Sequence, residues 1–250
     1  MLRAAYPWAV AVISDALLGE VSSAPEEAGL FLDFDGVLAP IVERPEDAYA
    51  PPETRDELGR LADRYALVAV VSGRAGEDVR ARIGVEGVEV VGSHGLELDG
   101  AAELWRTQIR DFTANVAWPE RETELKGLAV SFHYRSREDG RAAVRELEAV
   151  AERAREAGLV ARFGRKVLEV LPPVRSNKGT AVRSLLARDG LRRALVAGDD
   201  TTDLDSFRAV EELEHKLRVA VQAAESPTEL AAAELVVADT SEFLALLRRL

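Results

Sequence analysis

The 250-residue chain contains no cysteine, one methionine and three histidines. Without thiols there are no disulfides, no thiolate nucleophile and no cysteine zinc site. His94, His133 and His215 stand far apart in the sequence, which argues against a histidine-rich metal centre. Carboxylates are then the available ligands, and an oxygen-only donor set favours a hard cation such as Mg2+. Lysine is scarce too: Lys126, Lys166, Lys178 and Lys216 stand against 28 arginines, so each lysine invites a reason. No apolar run approaches the roughly 18 residues of a membrane span, and the run Trp8–Ile13 is soon followed by Asp15. These lacks lead us to expect a cytoplasmic protein with no membrane partner, whose residues 1–25 form an N-terminal arm or helix.

With 47% hydrophobic and 30% charged residues, the chain has the balance of a folded globular protein. Its net charge of −12 argues against a nucleic-acid partner, because phosphate backbones are held by clustered Lys and Arg. An anionic ligand would need local cationic help, from a bound metal and a few placed basic side chains. Nothing in the composition speaks to an oligomeric partner.

Short apolar runs alternate with amphipathic helical stretches. The runs Leu30–Leu32, Leu67–Val71, Val88–Val91, Ala194–Ala197, Leu217–Val221 and Leu235–Val237 fit buried parallel strands. Between them Thr54–Tyr65 and Lys178–Arg188 repeat at helical spacing, and Ser241–Leu250 reads as a last helix capped by Ser241. The expected fold is an α/β, doubly wound (Rossmann-like) parallel-sheet core. Residues 105–172 break the rhythm. Ala129–Arg135 alternates strictly, a long helix covers roughly Glu138–Ala157, and Leu159–Phe163 and Lys166–Leu171 read as further strands. That stretch is expected to be a smaller α+β cap domain inserted between core segments 1–104 and 173–250. Trp105, Phe112 and Trp118 suit its core better than a sugar platform.

Four motifs carry chemistry. Asp33-Phe34-Asp35-Gly36 puts two carboxylates on one side of a strand end, a costly pairing unless a cation or a proton shares the site. Gly198-Asp199-Asp200-Thr201-Thr202-Asp203 is a second acidic cluster after a core strand; a plain helix N-terminus capped by Thr202 or Asp203 would explain it alone. Ser72-Gly73-Arg74 offers a hydroxyl and turn amides for phosphoryl oxygens, or a simple turn. Lys178 opens a helix, where its charge opposes the dipole, and a point charge on a flexible stem suits a phosphoryl group. In the inserted stretch His133 and Arg135 share a strand face, and Glu169 shares one with Arg165 and Val167.

In this order the motifs resemble the haloacid dehalogenase-like phosphatases, with Val37 where Thr is usual. Finer stretches look like the trehalose-6-phosphate phosphatases: FLDFDGVLAP from Phe31, VVSGR from Val70, GSHGLE from Gly92 and FHYR from Phe132. GRKVLEVLP from Gly164, NKG from Asn177 and GDDTTD from Gly198 complete the set, with Arg165 where Lys is expected. The resemblance implies hydrolysis of trehalose 6-phosphate through an aspartyl phosphate. Asp33 would be the nucleophile, Asp35 the acid and base, and Ser72 and Lys178 phosphoryl ligands, with Asp203 orienting Lys178 or a metal-bound water. It implies Mg2+ held by Asp33, Asp199 and the Asp35 carbonyl. Gly73, Arg74, His94 and Gly95 would contact substrate near the strand ends, and His133, Arg135, Arg165 and Glu169 would read the sugar from the cap. The alternatives are a phosphatase for another sugar phosphate, a sugar phosphomutase, or a non-catalytic sugar-phosphate sensor.

Overall fold

The computed structural model describes residues 7–164, 166–222 and 227–250. Helix α1 (Pro7–Ser22) leads into strand β1 (Ala28–Leu32), helix α2 (Pro52–Arg64), strand β2 (Leu67–Val71), helix α3 (Gly76–Ile83) and strand β3 (Glu89–Val91). Helices α4 (Gly100–Glu103) and α5 (Arg106–Ala114) follow, then strands β4 (Thr123–Leu125) and β5 (Val130–His133), helix α6 (Gly140–Glu156) and strands β6 (Val160–Gly164) and β7 (Val167–Leu171). The chain closes with α7 (Lys178–Asp189), β8 (Arg193–Gly198), α8 (Asp203–Ala209), β9 (His215–Val221), β10 (Leu235–Val237) and α9 (Thr240–Leu247).

Residues 1–95 and 177–250 form one compact unit. Each of the six expected apolar runs is a strand in it, in the order β10-β9-β8-β1-β2-β3, and all neighbours run parallel. Apolar residues fill both faces of the central strands because helices cover both sides. Leu30, Leu32, Val68, Val70, Leu195 and Ala197 meet Leu58 and Leu61 of α2, Val79 and Ile83 of α3 and Phe243 and Leu247 of α9. On the other face Phe31, Ala69, Val71, Ala194 and Val196 meet Ala181, Val182 and Leu185 of α7 and Phe207 of α8. Sequence order reverses about β1, which has β2 on one side and β8 on the other, so the crevice of this doubly wound sheet lies at their carboxyl ends. The last helix differs from expectation in its cap. Asp239 accepts hydrogen bonds from the Ser241 and Glu242 amides, because a carboxylate just before the first turn serves both the orphan donors and the dipole better than the Ser241 hydroxyl inside it.

Leu96–Ser176 is a second compact unit, wider at both ends than the 105–172 span read from the sequence. The extra residues belong because Leu96 and Ala102 are buried with Leu128, Ala129 and Leu171, and Val174 packs on the same cluster. Its antiparallel sheet runs β4-β5-β7-β6. One face, with Val130, Phe132, Leu168 and Val170, is covered by Leu147, Val150, Ala151 and Ala154 of α6 and Ile109 of α5, and Trp105, Phe112 and Trp118 pack against this cluster. The other face carries Ser131, His133 and Glu169.

Candidate functional site

Three carboxylates converge beyond the ends of β1 and β8. The Asp33 amide continues the ladder by donating to the Ala197 carbonyl at 3.1 Å, which carries the β1 end alongside Gly198. One carboxylate oxygen from each of Asp33, Asp199 and Asp203 lies within 4.8 Å of the others. The tight turn at Gly36 serves this approach. Its φ of 76° suits glycine, and a Cβ there would stand 2.2 Å from Asp199 Oδ2.

Lys178 enters from the first turn of α7. An Asn177–Thr180 capping box fixes that turn: the Thr180 amide donates to Asn177 Oδ1 at 2.8 Å, and the Asn177 amide donates to Thr180 Oγ1 at 2.9 Å. The buried ammonium donates to Asp33 Oδ2 at 2.8 Å and to Asp203 Oδ1 at 2.7 Å. Asp203 Oδ2 accepts the Asp199 and Asp200 amides, both at 3.1 Å, so Asp203 braces the loop that presents Asp199. Thr202 sits at the head of α8 with helical backbone and no capping side-chain bond, so the local role here is that of Asp203. Asp33 Oδ1 accepts the Phe34 amide at 2.7 Å.

The charges do not balance. Burial pulls the Lys178 ammonium down, but Asp203 and Asp33 more than offset this and hold its pKa above the usual lysine range. Burial pushes Asp33 well above the carboxylate range, with the Asp203 and Asp199 charges adding to the rise and Lys178 opposing it. Asp199 is pushed up to about 7, first by burial and then by the Asp203 charge. Three crowded carboxylates with one ammonium leave an excess of negative charge that a divalent cation would neutralise. Oxygen-only donors fit a hard ion. Asp33 and Asp199 are the two expected ligands that the fold brings together; Asp35 turns its carboxylate to Arg74 instead, leaving its carbonyl as the group it could offer.

A pH dependence follows. A carboxylate with a raised folded-state pKa binds more protons when folded than unfolded, so it makes stability fall as pH rises. For Asp199 that window runs from its ordinary value of 3.8 to about 7. Without metal, Asp199→Asn should therefore melt above wild type at pH 8, and the two should converge on acidification. Thermal melts across pH check this, and a variant less stable than wild type at pH 8 would contradict it.

Ser72 directly follows β2 and is buried, with the Arg74 amide donating to its hydroxyl at 3.2 Å. The two glycine-flanked loops interlock: the Ser93 amide donates to the Arg74 carbonyl at 2.7 Å and the His94 amide to the Ser72 carbonyl at 2.9 Å. The His94 ring lies over Gly73, where a Cβ would come within 2.5 Å of Cε1. Gly95 lies against the Asn177 carbonyl at the start of α7. Arg74 forks onto Asp35, donating from Nε to Oδ2 at 2.7 Å and from Nη2 to Oδ1 at 2.8 Å.

In the second unit, Glu169 faces Ser131, whose hydroxyl donates to it at 3.4 Å, and Lys126, whose Nζ is 3.6 Å away. Lys126 also lies 3.5 Å from Glu124, which meets His133 Nε2 at 3.0 Å. Sequence reasoning passed over Lys126 and Glu124 because β4 is too short to show alternation; the rarity of lysine was the available signal. Arg135 is exposed past the end of β5, and Arg165 lies outside the described residues.

The fold is like that of a haloacid dehalogenase-like hydrolase from Bacteroides thetaiotaomicron, with a TM-score of 0.59 at 14% identity, covering 90% of this chain and 100% of that one. By sequence the chain belongs to the trehalose-phosphatase family, whose model matches residues 31–241. A probable trehalose-phosphate phosphatase of Sinorhizobium fredii is 31% identical over 218 residues, covering 80% of this chain and 82% of that one. The crystal structure of a trehalose-6-phosphate phosphatase related protein superimposes with a TM-score of 0.64 at 25% identity, covering 88% of this chain and 95% of that one. An uncharacterized glycosyl hydrolase of Mycobacterium tuberculosis is 38% identical over 206 residues, which is 72% of this chain and 15% of that protein. The chain spans little more than half of several other curated relatives, 59% and 56% of two plant proteins.

Proposed function

We propose that the chain is a Mg2+-dependent phosphatase that hydrolyses trehalose 6-phosphate to trehalose and phosphate. One observation carries the reading: a carboxylate at the central strand end, Asp33, lies 2.8 Å from a buried lysine and within reach of two further carboxylates. Family membership supports the substrate.

The Asp33 carboxylate attacks phosphorus, forming an aspartyl phosphate as the sugar oxygen departs. Asp35 gives that oxygen its proton, then takes one from the water that attacks the acyl phosphate and frees inorganic phosphate and Asp33. Lys178 neutralises charge spread over the phosphoryl oxygens, and Ser72 hydrogen-bonds one of them. Asp203 keeps Lys178 ionised and aimed. Asp33, Asp199 and the Asp35 carbonyl would hold Mg2+, which would supply positive charge to offset that of the phosphoryl oxygens. Gly73 and Gly95 let backbone approach the phosphate, and His94 lines the same loops. On the second unit Glu169 and Lys126, with His133, Arg135 and Arg165, offer donors and acceptors for sugar hydroxyls.

Phosphate release across trehalose 6-phosphate, sucrose phosphate and glucosylglycerate phosphate, with and without Mg2+, tests the reading. Trehalose 6-phosphate is expected to lead the panel, and activity without Mg2+ to collapse. A better rate on another ester would replace the substrate. Glu169→Ala should raise KM for the true substrate about tenfold, the loss of a well-placed hydrogen-bond partner, while an aryl phosphate is turned over as before. Equal losses on both esters would remove Glu169 from the sugar site.

A further inference from the structure

We propose that Asp78 and Arg82 of helix α3 are positioning residues that act through Arg74 on Asp35; this rests on the acid–base role given to Asp35 above. The groups form a line of alternating charge. Arg74 spends Nε and Nη2 on the two oxygens of Asp35, at 2.7 and 2.8 Å, and turns Nη1 to Asp78 Oδ2 at 3.3 Å. Arg82 Nε in turn lies 2.8 Å from both oxygens of Asp78. Asp78 stands four residues before Arg82 on α3, the spacing that stacks side chains on one helix face, and Arg74 reaches Asp78 from the loop just before the helix.

The outer end of the line is anchored to backbone. Arg82 Nη1 donates to the Ala48 carbonyl at 2.7 Å and the Glu46 carbonyl at 2.9 Å, and its guanidinium lies 5.0 Å from the centre of the Tyr49 ring. Those residues belong to the segment that leaves the turn after Asp35. Arg74 also rests 5.6 Å above the Phe34 ring, between the two site carboxylates in sequence.

A fork sets the plane of the carboxylate it grips, because two parallel N–H bonds leave little freedom of rotation. A guanidinium gripped on one edge alone would still turn about its stem. Asp78 holds the opposite edge, and Arg82 holds Asp78. The line thus fixes the plane and position of the Asp35 carboxylate. A mere stabilising role for α3 is a weaker account, since partly exposed ion pairs add little to stability.

The two roles separate on the leaving group. A sugar alkoxide needs a proton from Asp35 as it departs, whereas a nitrophenolate leaves without one. Single-turnover phosphoryl transfer should be measured with saturating trehalose 6-phosphate and 4-nitrophenyl phosphate, at fixed Mg2+. Asp78→Asn is expected to slow transfer from the sugar ester roughly 10- to 100-fold, the scale of a misplaced reacting group, and to leave the aryl ester nearly untouched. Asp78→Glu, which keeps the charge, should recover most of the loss, and Arg82→Gln should reproduce the pattern more weakly. In an Asp35→Asn background Asp78→Asn should change nothing further. Equal slowing on both esters, or the same loss in the Asp35→Asn background, overturns the proposal. If wild type takes another alkyl phosphate in place of trehalose 6-phosphate, the substrate reading fails and the same comparison on that ester decides this one. If it takes no phosphate ester, both fall.

Discussion

Asp33→Asn is expected to abolish phosphate release, by roughly a thousandfold or more, as removal of a nucleophile does elsewhere. The substitution is nearly isosteric and relieves the crowding of three negative charges. The side-chain amide it introduces can still accept from the Phe34 amide or from Lys178 through its single carbonyl oxygen, though it cannot serve both as the carboxylate does. In metal-free buffer the variant should melt no lower than wild type, because burial and the neighbouring carboxylates already disfavour the Asp33 charge. Phosphate assays and thermal melts on the same samples read both effects. A variant retaining a tenth of the wild-type rate would rule Asp33 out as the nucleophile.

The second large effect falls on stability. Lys178→Met keeps the stem and deletes the ammonium that Asp33 and Asp203 share. Two buried carboxylates are then left without their counter-charge. Breaking a buried pair from one side typically costs about 3–5 kcal/mol, which for a chain of this size lowers the melting temperature by roughly 6–20 °C. Adding Asp203→Asn should recover part of the loss, since it removes one of the orphaned charges. Divalent metal should narrow the gap for the same reason. A Lys178→Met melt within two degrees of wild type, a span of about 1 kcal/mol or less, would show that the lysine contributes little to the fold. Activity is lost in either case.

The strand ends were legible because each lies where an apolar run meets polar residues: Leu32 before Asp33, Val71 before Ser72, Ala197 before Gly198-Asp199. Buried parallel strands have no polar face to blur that boundary. Lys178 stood out through composition, against a background of arginine. The hidden parts are those set by tertiary pairing. That Asp203 takes two backbone amides, when the sequence allows an ordinary helix cap, depends on how β8 delivers the preceding loop. That Arg74 grips Asp35 depends on β1 and β2 being neighbours. Asp78 and Arg82 lie on an eight-residue helix too short to show a clear period, and Glu124 and Lys126 lie on or beside a three-residue strand with no periodicity to read.

The register of the central strand carries a consequence for synthesis on the ribosome. Ala28 of β1 pairs with Arg193 of β8, a separation of 165 residues, since 193 − 28 = 165. At translation speeds of about 5–20 residues per second, β8 emerges roughly 8–33 s after β1. Through that interval β1 can pair with β2 alone, and its other edge waits while the whole of Leu96–Ser176 is made and can collapse on its own local contacts. Nascent chains ending before residue 199 therefore hold Asp33 and Asp35 without Lys178 braced by Asp203 and without Asp199, so divalent metal can aid the finished fold and can do little to hasten the early steps toward it.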